Sequence, residues 1–157
     1  IPEGIKTISA TAFYETEKLK TITIPNSVVK IDDYAFYEAT GIEHLTIPNS
    51  VKEIGHNAFK YCTKLKTISI PNTITSIENE TLYGCSNMKS IVLPNSIEHI
   101  GANVFYWCEN LESITLPKSI KSIDKYALNG CSNLKYINIT KGTMEQFKKT
   151  LFPNLKD

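Results

Sequence analysis

The sequence predicts an α/β solenoid, a short unit wound repeatedly so that each coil rests on the one before. Two observations predict it. Within its 157 residues the chain repeats every 23 from Ile1 to Asn138 without insertion or deletion, in rows beginning at Ile1, Ile24, Ile47, Ile70, Leu93 and Leu116, with an incomplete seventh at Ile139. Six columns are apolar in every complete row, as in the third: Ile47, Val51, Ile54, Phe59, Leu65 and Ile68. A unit of this size cannot bury its own apolar face and acquires a core only by stacking on copies of itself.

Each element follows from the columns. Lys66 to Ile70 alternates apolar and polar residues as a half-buried strand does. Because every such strand is followed by the same excursion, successive strands run parallel and form one ladder with a spacing of about 4.8 Å. Proline follows at Pro2, Pro25, Pro48, Pro71, Pro94 and Pro117. It removes a ladder donor and so marks the strand's end, and Asn26, Asn49, Asn72 and Asn95 behind it are expected to hydrogen-bond backbone in a turn. A second short extended segment is expected from Ser50 to Ile54, then a turn holding Gly55, Gly101, Asp32 or Asp124. In residues 57–62, one helical turn would point Ala58, Phe59 and Cys62 inward. The column Ala12, Ala35, Ala58 and Ala127, widened to Thr81 and Val104, marks backbone lying close to the core, where bulk would overpack it. Residues 1–138 are thus six repeats. Residues 139–157 are a partial seventh and a helical cap, because Thr143, Met144, Glu145 and Gln146 form a capping box and Met144, Phe147 and Leu151 follow at helical spacing before Pro153. Ile1 opens in repeat register without a polar cap, so further repeats or a cap are expected upstream in a longer parent, or weak self-association here.

Ile-Pro-Asn-Ser-Val (47–51), Ile-Gly-x-Asn-Ala-Phe (54–59) and Cys-x-x-Leu-x-x-Ile (62–68) resemble the BspA-like, or Treponema-type, class of leucine-rich repeats. The likeness covers residues 1 to about 140, with Leu82 and Leu128 replacing the usual Phe and Thr16 and Ala39 replacing Cys. It implies a leucine-rich-repeat solenoid and a cell-surface or secreted protein, often linked to adhesion; a non-enzymatic module binding a host or matrix protein or a glycan is therefore expected, with a structural spacer array within a larger surface protein as the alternative. It implies no catalytic residues.

Composition narrows the chemistry. A net charge of +1 from 17 basic and 16 acidic residues provides no basic face for phosphates, which argues against nucleic acid. The column Lys20, Glu43, Lys66, Lys89, Glu112 and Lys135 mixes signs like an ordinary solvated face. No apolar run approaches the roughly 20 residues that span a bilayer. Cys62, Cys85, Cys108 and Cys131 share one column and read as buried free thiols, since stacked side chains point in parallel and hold their Cβ atoms apart. The three histidines, His44, His56 and His99, occupy three different columns, and no cysteine pair has zinc spacing, so no metal or cofactor is expected. No phosphate loop or nucleophile elbow is present. Two sequons, at Asn79 and Asn138, coincide with inward or strand positions and are poor glycan acceptors.

Two surfaces can bind a partner. On the turn face Tyr14, Tyr37, Lys60, Tyr83, Tyr106 and Asn129 share a column adjoining Tyr61 and Trp107, where polar residues are expected instead. Tyr37, Tyr61, Tyr83, Tyr106 and Trp107 are therefore the first candidates, because rings with polar handles are favoured at interfaces and can stack on sugars. The strand face supplies the second: Thr21, His44, Thr67, Ser90, Ser113 and Tyr136, a hydroxyl-rich strip that also simply suits an exposed strand.

Overall fold

The computed structural model describes residues 1–139, which wind into about six coils of a parallel β-solenoid. Its strands are β1 (Thr7–Ile8), β2 (Lys30–Ile31), β3 (His44–Thr46), β4 (Glu53–Ile54), β5 (Thr67–Ser69), β6 (Ser76–Ile77), β7 (Ser90–Val92), β8 (His99–Ile100), β9 (Ser113–Leu116), β10 (Ser122–Ile123) and β11 (Tyr136–Ile139). They form two ladders on separate faces. The first joins β3 to β5 and β7 to β9 to β11; the second joins β1 to β2 to β4 and β6 to β8 to β10. Every pairing is parallel and matches residues one repeat apart, such as Leu45 with Ile68, Ile91 with Ile114, and Ile31 with Ile54. A slip of one residue would turn each of these isoleucines out to water, so the apolar column itself fixes the register.

The core is the inward columns stacked in layers. Phe13, Phe36 and Phe59 lie ring on ring, with centroids 4.8 and 5.3 Å apart. Leu82 and Phe105 continue the column in full burial. Ala35, Ala58, Thr81, Val104 and Ala127 are buried beside it, whereas Ala12, in the first coil, is exposed. At the corner, the Pro carbonyl of the second to sixth coils accepts a hydrogen bond from the residue three places on, as from Val28 to Pro25 at 3.1 Å and from Ile74 to Pro71 at 3.2 Å. The asparagine side chains do not take part, contrary to expectation. Among the described residues, the amides of Asn26, Asn49, Asn72 and Asn95 have no protein partner, because the backbone bond already closes the turn.

The cysteine column is free and follows the expected course with one addition. Each thiol donates to a carbonyl of the coil before: Cys62 to Phe36 at 3.1 Å, Cys85 to Phe59 at 3.3 Å, Cys108 to Leu82 at 3.3 Å and Cys131 to Phe105 at 3.1 Å. Ala39 cannot donate in this way. The Phe13 carbonyl it would have served accepts instead from the Thr16 hydroxyl of its own coil, at 2.8 Å. The two departures from Cys in this column therefore compensate each other. Burial pushes the Cys62 thiol up to about 12.

The expected one-turn helices are absent. Among the described residues there is no helix, and the segment equivalent to 57–62 is a chain of turns in every coil. Two positions in it are left-handed: Thr11, Tyr34, Asn57, Glu80 and Asn103 at the first, and Glu15, Glu38, Tyr61 and Trp107 at the second, with φ between 54° and 59°. Gly84 and Gly130 occupy the second position in two coils, also at positive φ. A left-handed residue turns its N–H out of the local spiral, so alternate amides point along the solenoid axis. They bond the next coil: Asn57 to Asn79 at 3.1 Å, Phe59 to Thr81 at 2.9 Å and Tyr61 to Tyr83 at 2.7 Å. The amides between them close turns within the coil, as from Lys60 to Asn57 at 3.1 Å. This is a third ladder. A continuous helix would have spent all of these donors on itself. The expected C-terminal helical cap falls on residues 140–157, outside those described.

Gly84→Ala should destabilise the fold by about 2 kcal/mol in urea unfolding, from left-handed strain together with a new methyl set against the Tyr61 ring. At neutral pH the thiols of Cys62, Cys85 and Cys108 should resist alkylation until the protein is unfolded, with Cys131, which is only partly buried, reacting first.

Candidate recognition surface

The third ladder determines where the aromatic side chains go. Between the two left-handed positions, Tyr14, Tyr37, Lys60, Tyr83 and Tyr106 face outward while their neighbours Phe13, Phe36, Phe59, Leu82 and Phe105 face in. The second left-handed position adds Tyr61 and Trp107 to the same face. The outcome is a continuous belt of rings. Tyr14 stacks on Tyr37 at 5.3 Å, Tyr37 meets Tyr61 edge-on at 5.9 Å, and Tyr61 meets Tyr83 edge-on at 5.2 Å. Tyr83 stacks on Tyr106 at 5.1 Å, and Trp107 leans against both, at 5.8 and 5.4 Å. All five first-choice residues are thus brought together. Tyr34, tilted on Tyr37 at 5.7 Å, extends the belt. Its own column holds Thr11, Asn57, Glu80, Asn103 and Tyr126, so one other place in that column is aromatic as well.

Lys60 occupies the one place in the middle of the belt where tyrosine is replaced by a cation. Its ammonium lies 4.4 Å from the Tyr83 ring centroid and 5.4 Å from that of Tyr61, and 2.5 Å from the Glu80 carboxylate. Ring faces carry partial negative charge and attract such a cation. A lysine therefore joins the rings on either side of it.

Glycine alternates with the large rings in the second left-handed column. A side chain at Gly84 would run into the Tyr61 ring, with a Cβ 2.5 Å from it, and one at Gly130 would meet Trp107 in the same way. Tyr61 and Trp107 are therefore laid over the glycine of the following coil. Trp107 nonetheless keeps 48% of its surface exposed, whereas Tyr37, Tyr61, Tyr83 and Tyr106 are half-buried.

Burial, with a hydrogen bond to Tyr61 second, pushes the Tyr83 phenol up to about 12, and a hydrogen bond to Glu15 does the same for Tyr14. An unfolded tyrosine ionises near pH 10, so in that window the unfolded chain loses protons that the native fold keeps. Stability should be insensitive to these groups below pH 10 and fall between pH 10 and 12, and absorbance titration should show Tyr14 and Tyr83 ionising late.

The strand-face strip is less uniform. His44, Thr67, Ser90, Ser113 and Tyr136 lie on the first ladder, but Thr21 lies outside any strand. His44 Nδ1 and Thr67 Oγ1 hydrogen-bond each other at 2.8 Å, so two of the strip's polar groups are already engaged. The mixed charges beside it form pairs across coils: Lys66 with Glu43 at 2.6 Å and Lys135 with Glu112 at 3.1 Å. Such exposed pairs contribute little stability, yet the Lys66 ammonium holds the Glu43 carboxyl below its ordinary range. Asn79 of the first sequon accepts a bond from the Ala102 amide at 2.9 Å, and the Thr81 hydroxyl is buried against the Glu78 carbonyl at 2.6 Å. Both groups that define that sequon are structural. Among the described residues no group of His, Cys, Asp or Glu is placed to hold a metal ion, and no helix is long and apolar enough to cross a membrane.

The sequence profile of the BspA-type leucine-rich repeat region matches residues 1–85 and 52–157, with six copies. Three solved structures share the fold. A leucine-rich cell surface protein of Faecalibacterium prausnitzii is 34% identical, with a TM-score of 0.76, over 80% of this chain and 33% of its own. A leucine-rich repeat protein from Eubacterium ventriosum is 30% identical, with a TM-score of 0.77, over 92% of this chain and 44% of its own. The leucine-rich repeat protein of T. pallidum is 34% identical, with a TM-score of 0.68, over 70% of this chain and 51% of its own. The chain thus spans between a third and about half of these structures. No curated protein matches it. With the repeat profile matched along its length and the solenoid shared with these bacterial proteins, the chain belongs to the BspA-type leucine-rich-repeat family.

Proposed function

We propose that this chain is a non-enzymatic, surface-displayed module that binds a protein partner in adhesion, through the aromatic belt on its turn face. Membership of a repeat family consistent with protein interaction supports the class. The F. prausnitzii relative, described as a cell surface protein, supports the location. The observation that carries the choice of face is Trp107. A large indole stands about half exposed at a left-handed position that costs a non-glycine residue about 1–2 kcal/mol. The equivalent position is glycine in the coils on either side of it, at Gly84 and Gly130. Strain of this kind is a pointer to function. Tyr83, Tyr106 and Trp107 together provide the aromatic anchors that dominate binding energy at protein interfaces, with Tyr37 and Tyr61 extending the contact. The strand strip of Thr21, His44, Thr67, Ser90, Ser113 and Tyr136 is the second choice.

Trp107→Gly is the variant of choice, since it reproduces Gly84 and Gly130 and removes the ring without straining the backbone. In a screen against host matrix proteins and a glycan panel, the parent should bind a protein and the variant should lose at least about tenfold in affinity, roughly 1.4 kcal/mol, at an unchanged or raised Tm. Undiminished binding by a folded variant would move the site to the strand face. Binding to glycans alone would contradict the protein-partner reading, and binding by neither chain would favour a structural spacer.

A further inference from the structure

The coils are not equally joined. At the junction of the second and third coils the first ladder is made, with the Lys66 amide donating to the Glu43 carbonyl at 2.8 Å and the Ile47 amide to Ser69 at 3.2 Å. The same bonds recur between the fourth and fifth coils, from Glu112 to Lys89 at 2.8 Å and from Leu93 to Thr115 at 3.1 Å. In the second ladder, Lys52 donates to Val29 at 2.8 Å, Glu98 to Thr75 at 2.8 Å and Lys121 to Glu98 at 2.7 Å. Between the third and fourth coils none of the equivalents is formed. The amides of Ile70, Thr75, Glu78 and Lys89 have no backbone acceptor, β5 does not pair with β7, and β4 does not pair with β6. Among the described residues this is the only junction that lacks both β ladders.

The third ladder continues across it. Asn57, Phe59 and Tyr61 bond Asn79, Thr81 and Tyr83, the Asn87 amide reaches back to Thr63 at 3.2 Å, and Lys60 joins Glu80 and Tyr83 from the other side of the gap. The fourth coil also departs most from the core pattern. Leu82 interrupts the phenylalanine stack, Thr81 puts a branched side chain in the alanine column, and Met88 replaces the usual Leu or Ile with a more flexible side chain. Two surface clefts border the same junction. One, of about 420 Å³, runs over the second ladder from Lys30 and Asp33 past Glu53 and His56 to Ser76 and Glu78; the other, of about 540 Å³, runs along the corner from Asn26 past Asn49 to Asn72, so both also extend over the junction before it.

We propose that the junction between the third and fourth coils is a hinge, held by the turn ladder on the aromatic face and without a backbone ladder on either strand face, about which residues 1–69 and 70–139 swing as two blocks. On the strand faces the Thr73 hydroxyl on the Val51 carbonyl and the approach of His56 to Glu78 at 3.9 Å still cross it. Small residues at a junction are not needed for this; what is needed is a line of retained bonds on one side and unmade bonds on the others. The aromatic face supplies the line, so bending changes the separation of the strand faces while the rings stay in contact. This inference does not depend on whether the belt binds a partner.

Hydrogen exchange resolved to single amides tests it, with the neighbouring coils as internal standards. Ile70, Thr75, Glu78 and Lys89 should exchange at least about tenfold faster than their equivalents Leu93, Glu98, Gly101 and Glu112, while Phe59 and Tyr61 stay protected. Equal protection overturns the proposal. Loss of protection at Phe59 and Tyr61 as well overturns it too, since that would be local unfolding of a coil. Spin labels at Glu53→Cys and His99→Cys, two coils apart across the junction, should give a broader distance distribution than labels at Ser76→Cys and Ser122→Cys, two coils apart on one side of it; equal widths exclude a hinge.

Discussion

Everything else in this solenoid depends on the ladder of left-handed turns. Of the three ladders, it alone joins every pair of neighbouring coils among the described residues, from Phe13 to Ala35 through to Trp107 to Asn129. Its two left-handed positions cost backbone energy at Tyr34, Glu38, Tyr61 and Trp107, where a side chain must share space with its own carbonyl. Each such residue aims an amide at the next coil, and a net gain of about 1 kcal/mol per bond offsets much of the strain. The apolar columns drive stacking and the turns determine how the stack is indexed.

The same turns connect fold to surface. Two left-handed positions four residues apart leave phenylalanine inward and tyrosine outward at adjacent places between them, and lift Tyr61 and Trp107 onto the outer face. The aromatic belt is therefore a product of the ladder, with one or two rings in each of the first five coils along the axis. Lys60 shows that this face tolerates a cation where the rings can embrace it. The cysteine column follows a related logic: its thiols satisfy carbonyls of the preceding coil, so each is a donor as well as a small apolar filler, and Thr16 takes over where Ala39 cannot serve.

Much of this was legible in the sequence. The period, the six apolar columns, both strand positions, the parallel register and the proline corners all follow from spacing, because burial on one face of a repeating unit leaves little freedom. The aromatic column was legible as an anomaly, since Tyr37, Tyr83 and Tyr106 stand where polar residues belong. The turns were not. Asn57, Asn103, Gly84 and Gly130 favour left-handed backbone and were the available signal, but Tyr34, Glu38, Tyr61 and Trp107 share their columns and do not, so the segment read as helix. The asparagines after proline suggest side-chain hydrogen bonds to the turn backbone, whereas the turn closes on backbone alone. The unmade bonds beside Ile70, Thr75 and Glu78 had no signature, because the apolar columns and the proline corner repeat there as in every other coil.

The most direct test of this account is a measurement of scalar couplings through hydrogen bonds in an isotope-labelled sample. The ladder requires correlations from the Phe59 amide to the Thr81 carbonyl carbon and from the Tyr61 amide to that of Tyr83. Correlations from these amides to carbonyls of their own coil, as in a helix, would contradict it.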